Sequence, residues 1–423
     1  MKTWVQDWSL KFARAFFLFL IFSLAFMQPG ISFLGYPVVP TDLIFLACSA
    51  VTAVCLIIGA IKPIFSRSYF VFAAYFAAML LSVIFSEDPR VSWQKLLGAT
   101  YLIGLAVLTI NFVPRVVSLK RVLMFWLAGT AVAAAISVAT LVVFYLDRTS
   151  PLLGYTLFHF GTLPPGNYPR VQSTFLNANM LCNYLNVGVM FLFAAHRIGW
   201  VKRSLFYPMI VSVCVAVMLS LSPGIGGVIL SVALWTWYFT DRESKALRWS
   251  IFAAGVASAA AFFAAMLPAP GPNPLSEFKW QVSNGLTIYG SERISAWIAA
   301  AQTLWEYPIF GRGLGLSSGV VSSLLPSGQR HTAMEAHQMW LNFAAQTGIV
   351  GLGALSLLIV YVLRKCRDAI VINVPNTVAV AATFAFIGAF LFQGLGGSFE
   401  DARHLWVLIG LCCALPDREP QPS

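Results

Sequence analysis

Apolar runs of about 20 residues recur along this chain from end to end, and the short loops between them alternate between basic and non-basic. A hydrocarbon layer roughly 30 Å thick needs about 20 apolar residues per helix. The runs are continuous, without the alternation of a barrel strand, so the pattern predicts helices. Twelve spans are expected: 13–27, 42–61, 69–85, 96–113, 122–146, 177–195, 205–221, 224–239, 250–268, 335–363, 375–398 and 402–415. The expected fold is all-α, one polytopic membrane domain over residues 1–423. Composition agrees: 59% of the residues are hydrophobic and only 10% charged, against roughly a quarter in soluble proteins.

A net charge of +11 would suit a nucleic-acid binder if the charge formed a patch. Instead the Lys and Arg residues gather in alternate loops. Lys2, Lys11 and Arg14, then Lys62 and Arg67, then Arg115, Lys120 and Arg121, fall on one side. So do Arg197, Lys202 and Arg203, Arg242, Lys245 and Arg248, Arg364, Lys365 and Arg367, and Arg418. Under the positive-inside rule that side is cytoplasmic, with both termini on it. No nucleic acid is expected as a partner. Residues 1–27 resemble a signal sequence but read as an uncleaved first span, because the alternation requires one there. The seven Cys lie in spans or on the basic side, so no disulfide framework is implied.

Punctuation supports the boundaries. Gln28-Pro29-Gly30 ends the first helix, and Ser222-Pro223-Gly224 divides 205–239 into two. The last span has an apolar core of only Leu405–Leu415, and a re-entrant segment is the alternative there. Two outer segments exceed what a turn needs. The first, 147–176, holds Pro164-Pro165-Gly166 and Pro169. The second, 269–334, opens on a Pro- and Gly-rich stretch through Pro272 and then carries an amphipathic helix over 292–306. Its apolar positions Ile294, Trp297, Ile298, Ala301, Leu304 and Trp305 predict one face that packs on the membrane domain or lies beside lipid. Pro308 stops that helix. Gly311-Arg312-Gly313-Leu314-Gly315 follows a helix and not a strand, so it reads as a turn and not a dinucleotide loop.

Three residues at the outer boundary suit phosphate chemistry. Arg170 precedes the span entered by Phe175-Leu176-Asn177-Ala178-Asn179. Arg293 sits in the first turn of the loop helix, and His337 begins the helix that follows the second loop. Guanidinium binds phosphate oxygens in bidentate fashion, and helix N-termini add N–H groups and dipole. The same dipole disfavours imidazolium, leaving His337 able to accept a proton. Against this stand plain readings: Arg170 and Arg293 as interfacial anchors, His337 as a satisfied polar group, Trp297, Trp305 and Trp340 as interfacial aromatics. Arg312 is a weaker phosphate candidate. No His, Cys and carboxylate cluster has metal-ligand spacing, so no metal or other cofactor is expected. Arginines would then supply the charge.

These residues resemble a known family, the O-antigen ligase and polymerase superfamily of bacterial envelope proteins. Arg293 with Trp297, followed by Pro308 and Gly311-Arg312-Gly313-Leu314-Gly315, is similar to the family's Arg-x-x-x-Trp helix with its Pro and Gly-x-Gly end. Ala336-His337-Gln338-Met339-Trp340-Leu341, with Gly348 and Gly351, resembles its His-Asn-x-x-Leu segment, and Arg170–Asn179 its Arg-containing approach to a span. Gln338 stands where Asn is common, Gln346 where an acid is common, and Pro223 where Ser-Arg-Gly is frequent. The resemblance implies a GT-C-like glycosyltransferase of the bacterial inner membrane with a periplasmic active site. Its donor would be an undecaprenyl-diphosphate-linked O-antigen, its acceptor the lipid A-core. His337, Arg293 and Arg170 would be catalytic, and Arg312, Gln338, Asn177 and Trp297 would join the arginines in binding diphosphate or glycan. A polysaccharide polymerase is the alternative within the family. A transporter is the alternative outside it, disfavoured because the spans are nearly free of ionisable residues.

Overall fold

The computed structural model describes residues 2–28, 30–33, 36–162, 165–265, 267–269, 279–282, 286–325, 328–372 and 377–415. Pro29, Pro164, Pro270 to Pro272 and the tail from Pro416 with Arg418 lie outside the described residues. The chain runs through α1 (Lys2–Ser23), α2 (Pro40–Ile57), α3 (Ser68–Ile84), α4 (Pro89–Phe112) and α5 (Leu119–Leu146). After the short α6 (Pro151–Thr156) come α7 (Ala178–Arg197), α8 (Arg203–Leu219), α9 (Ile225–Phe239) and α10 (Lys245–Ala264). Then follow α11 (Glu292–Glu306), α12 (Met339–Ile372), α13 (Thr377–Ala385) and α14 (Arg403–Ala414). Length and apolarity qualify α2, α4, α5, α7, α10, α12 and the stretch Thr377–Leu395 to cross a membrane, and α3, α8, α9 and α14 are shorter apolar helices. The protein is a multi-pass helical membrane protein, with seven of the twelve expected spans supported in this way.

The all-α expectation needs one correction. The two long connecting segments contain antiparallel hairpins: Leu157–Thr162 with Pro165–Val171, Lys279–Val282 with Leu286–Gly290, and Gly319–Leu325 with Gly328–Met334. Backbone groups at a membrane boundary need partners, and a hairpin supplies them where a proline-punctuated segment cannot remain helical.

Burial follows position in the bundle more than helix length. On α7 nearly every residue from Ala178 to Ala195 is buried, including Asn183 and Asn186. The helix has neighbours on all sides: α5, α8, α9 and α13. The short α14 is equally enclosed, from His404 to Ala414, and packs on α4 and α12. Its twelve residues suffice because protein rather than lipid surrounds it. Beyond α13 the chain widens into a π-helical turn, Phe386–Phe392, and tightens into a 3-10 turn, Gln393–Leu395.

The loop helix α11 buries a face of small residues. Ala296, Ala299, Ala300 and Thr303 are enclosed, whereas Ile298 and Ala301 are exposed and Trp305 retains 87% exposure. Small residues let α11 approach α12 closely, which bulky ones would prevent. Ala300, Ala336 and Ala345 form a small core there, capped by Trp297 and Leu341.

The chain after α11 is locked backbone to backbone onto a kink in α12. Arg312 N donates to Ala345 O (3.0 Å), Gly313 N to Gln346 O (3.1 Å) and Ile349 N to Pro308 O (2.9 Å). Gly348 sits at the kink with φ 64°, and Gly311 in the turn with φ 73°. A Cβ on Gly348 would lie 2.3 Å from Ile309 O, and one on Gly311 2.2 Å from the Gln346 carbonyl carbon. Both glycines are therefore required by contact and by conformation. Gly348→Ala should destabilise the fold by about 2 kcal/mol or more, read as a lower thermal midpoint in detergent. Gly353→Ala, where nothing lies within 4 Å of the added carbon, should be neutral or stabilising by up to about 1 kcal/mol.

Candidate functional site

Arg170 closes the first hairpin, in register with His159, just before α7. Its Nε donates to Ser220 O and its Nη2 to Asn179 Oδ1, both at 3.1 Å, and its guanidinium lies 5.1 Å from the Phe158 ring centre. Arg293, in the first turn of α11, donates from Nη1 to Gly396 O at 2.7 Å. Both carbonyls end helices: Ser220 is the C-cap of α8 and Gly396 that of the 3-10 turn after α13. Each guanidinium is thus held by the negative end of a helix.

The two cations share one place. Burial first, and then the charge of Arg293, pull Arg170 below its ordinary arginine value, and burial does the same to Arg293. Two like charges that have each lost part of their water are costly to hold together until an anion joins them. Between their anchors runs a narrow cleft, with room for little more than a water, lined by Asn179, Ser222, Pro223, Gly224, Gln393 and Gly396 among others. Several helix N-termini meet around it. Asn179 is in the first turn of α7, Gly224 is the N-cap of α9, and Arg293, bonded to Gly396, opens α11, whereas His337 is not among the residues that line the cleft. Cations and N-termini around one cleft favour a multiply charged anion.

His337 is exposed and lies two residues before the start of α12. Its neighbours are fixed: Ala336 O accepts from Trp297 Nε1 (2.8 Å), Ala336 N donates to Ser318 Oγ (2.6 Å), and Gln338 Oε1 caps α12 through Leu341 N (2.7 Å). Trp297 also stacks on Phe263 of α10, ring centres 6.0 Å apart. The Arg-x-x-x-Trp spacing now has a physical meaning. One helical turn separates the residue that enters the cleft from the one that ties down the histidine segment.

Other sequence candidates are occupied elsewhere. Trp297 is half-buried and its indole N–H is spent on Ala336, so it anchors the histidine segment. Asn177 caps α7 through Met180 N (2.7 Å), and Gln338 caps α12, so neither amide oxygen is aimed at a ligand. Arg312 pairs with Glu87 (Nε to Oε2, 2.6 Å), which also accepts from Tyr307, so it braces α11 against the α3–α4 turn. Asn179, Gln393, Ser220 and Gly396 escaped sequence reasoning. Two act through backbone carbonyls, which leave no trace in residue type, and Gln393 sat inside an apolar run. Three non-glycine residues among those described have left-handed backbone, Ser173 (φ 53°), Leu221 (φ 44°) and His337 (φ 47°), and Leu221 lies in the turn between Ser220 and Ser222 at the cleft. Such conformations cost of order 1–3 kcal/mol each and gather at functional sites.

The loop that carries Gly396 ends in a buried carboxyl. Glu400 Oε1 accepts from Asn342 Nδ2 (2.8 Å), while Oε2 has no partner among the described residues. Burial, and then the charge of Asp401, push Glu400 up to about 7. A carboxyl raised in the fold favours the folded state at pH below its unfolded value, about 4, and that advantage drains away as pH rises to about 7. The thermal midpoint in detergent should therefore fall between about pH 5 and pH 8, and Glu400→Gln should flatten that slope.

No curated protein matches the chain. Residues 208–356 match the family model described as O-antigen ligase; this stretch contains the cleft turn at Ser222–Gly224, Arg293 and His337 and leaves Arg170 outside. Over that stretch the chain is similar to the O-antigen ligase family.

Proposed function

We propose that the protein is an O-antigen ligase that transfers O-antigen polysaccharide from undecaprenyl diphosphate to the lipid A-core, in a GT-C-like fold, at the periplasmic face of the bacterial inner membrane. The observation that carries this reading is the pairing of Arg170 and Arg293, brought to one cleft against their mutual repulsion. A diphosphate relieves that repulsion and has the charge the surrounding helix N-termini favour.

The reaction needs one bond made and one broken. An acceptor hydroxyl oxygen attacks the anomeric carbon, the bond from that carbon to the diphosphate oxygen breaks, and undecaprenyl diphosphate departs with the electron pair. A single displacement inverts the anomeric centre. Charge grows on the leaving oxygen, and Arg170 and Arg293 stabilise it there. His337 takes the hydroxyl proton or holds the acceptor in line. The cleft as it stands is too narrow for a diphosphate, and in this scheme the lipid donor enters sideways between spans. Under this scheme the reaction is metal-independent, because guanidinium groups supply the positive charge.

Purified protein supplied with lipid-linked donor and lipid A-core should ligate in the presence of a chelator. Arg170→Ala or Arg293→Ala should each lower the rate by on the order of 10²–10³. Full activity of either variant, or loss of all activity on chelation, would refute the scheme. Donor supplied without lipid A-core separates the related alternative, since a polymerase would lengthen the glycan and a ligase would not.

A further inference from the structure

A chain of hydrogen bonds runs from the centre of the bundle to the cleft. His404 on α14 is fully buried, and its Nε2 lies 2.6 Å from Asn183 Oδ1 on α7. Asn183 Nδ2 reaches Ala389 O (2.7 Å) and Gln393 Oε1 (2.6 Å), and Gln393 Nε2 reaches Gly224 O (2.6 Å). The polarity of every link is determined. Asn183 faces a backbone carbonyl on its Nδ2 side, so that end donates and its Oδ1 accepts, which places the His404 proton on Nε2. Gln393 must then accept through Oε1 and donate through Nε2.

The π-helical turn makes this possible. Gln393 N bonds Gly388 O, five residues back, so the Ala389 carbonyl that a regular helix would engage receives Asn183 instead. Gly227 lacks a side chain where Gln393 lies; a Cβ there would come within 2.5 Å of Gln393 Cγ. The chain ends on the turn between α8 and α9, at Gly224. That turn begins with Ser220, whose carbonyl holds Arg170, and includes Leu221 in the left-handed region. A strained turn needs something to hold it. His404 also leaves Nδ1 without a partner among the described residues, a cost that a phenylalanine of similar shape would avoid.

We propose that His404, Asn183 and Gln393 are positioning residues: their directional hydrogen-bond chain sets the 220–224 turn and, through Ser220 O, aims Arg170 at the diphosphate. This rests on the ligase reading given above. None of the three need touch the reacting atoms. A guanidinium displaced by about 1 Å loses much of its effect on the leaving group.

The test is a double-mutant cycle on the purified full-length protein in detergent, assayed with lipid-linked donor and lipid A-core acceptor. His404→Phe should lower kcat by on the order of tenfold or more while the KM for acceptor stays within about twofold. His404→Gln, which keeps an N–H for Asn183, should restore most of that loss. In the Arg170→Ala background, His404→Phe should cause no further loss, because the chain acts through Arg170. Should His404→Phe fail to elute as folded protein, Gln393→Met, which cuts the chain at its cleft end, takes its place in the same cycle. Losses that multiply in the double variant would overturn the proposal, as would His404→Gln no more active than a folded His404→Phe. Full activity of His404→Phe with an impaired Arg170→Ala sinks this inference alone. Full activity of Arg170→Ala sinks the ligase reading and this inference with it.

Discussion

Two arginine side chains, partly buried and close enough to repel, are kept in place by carbonyl oxygens at helix ends. The site depends on that opposition. Ser220 O and Gly396 O, at the C-terminal ends of α8 and of the 3-10 turn after α13, lend each guanidinium part of a negative dipole without a full negative charge. A carboxylate in either place would satisfy the cation and remove its appetite for phosphate. Arg312 shows the contrast: Glu87 engages it fully, and it serves as a brace.

Rigid packing around the site follows from this requirement. The turn after α11 lies on the Gly348 kink of α12 with no side chain between the backbones, and Trp297 ties the histidine segment to the same helix that carries Arg293. Deeper in the bundle, amide and imidazole groups replace the hydrocarbon contacts that would have been simpler to make. In a low-dielectric interior such groups are expensive unless paired, and once paired they have direction, which apolar contacts lack. The polar core of α7, α13 and α14 therefore reads as geometry control for the cleft above it.

Much of this was legible in the residues. Apolar runs located the helices, including the division at Ser222-Pro223-Gly224, because the bilayer imposes a length and a composition on every span. Arg170, Arg293 and His337 stood out because a polar group beside a helix start at a membrane boundary is uncommon. Less was legible where several elements meet. Which side of α11 is buried stayed open, because helical periodicity cannot tell a face that sinks into protein from one left toward lipid; in the structure alanines, not the bulky residues, pack against α12. Asn177, Gln338 and Trp297 entered through the family resemblance, and only the structure shows that they also serve as caps and an anchor.

By itself, the order of residues determined a multi-pass helical protein, its basic and non-basic loops, and which side chains had phosphate chemistry to offer, since those depend on local composition and period. Tertiary structure alone decided which cations share a cleft, which carbonyls hold them and which glutamine reaches Gly224. Those pairings span from 50 to 169 positions along the chain, and backbone carbonyls are the same in every residue. Only their placement in space, set by packing, distinguishes a ligand from a bystander.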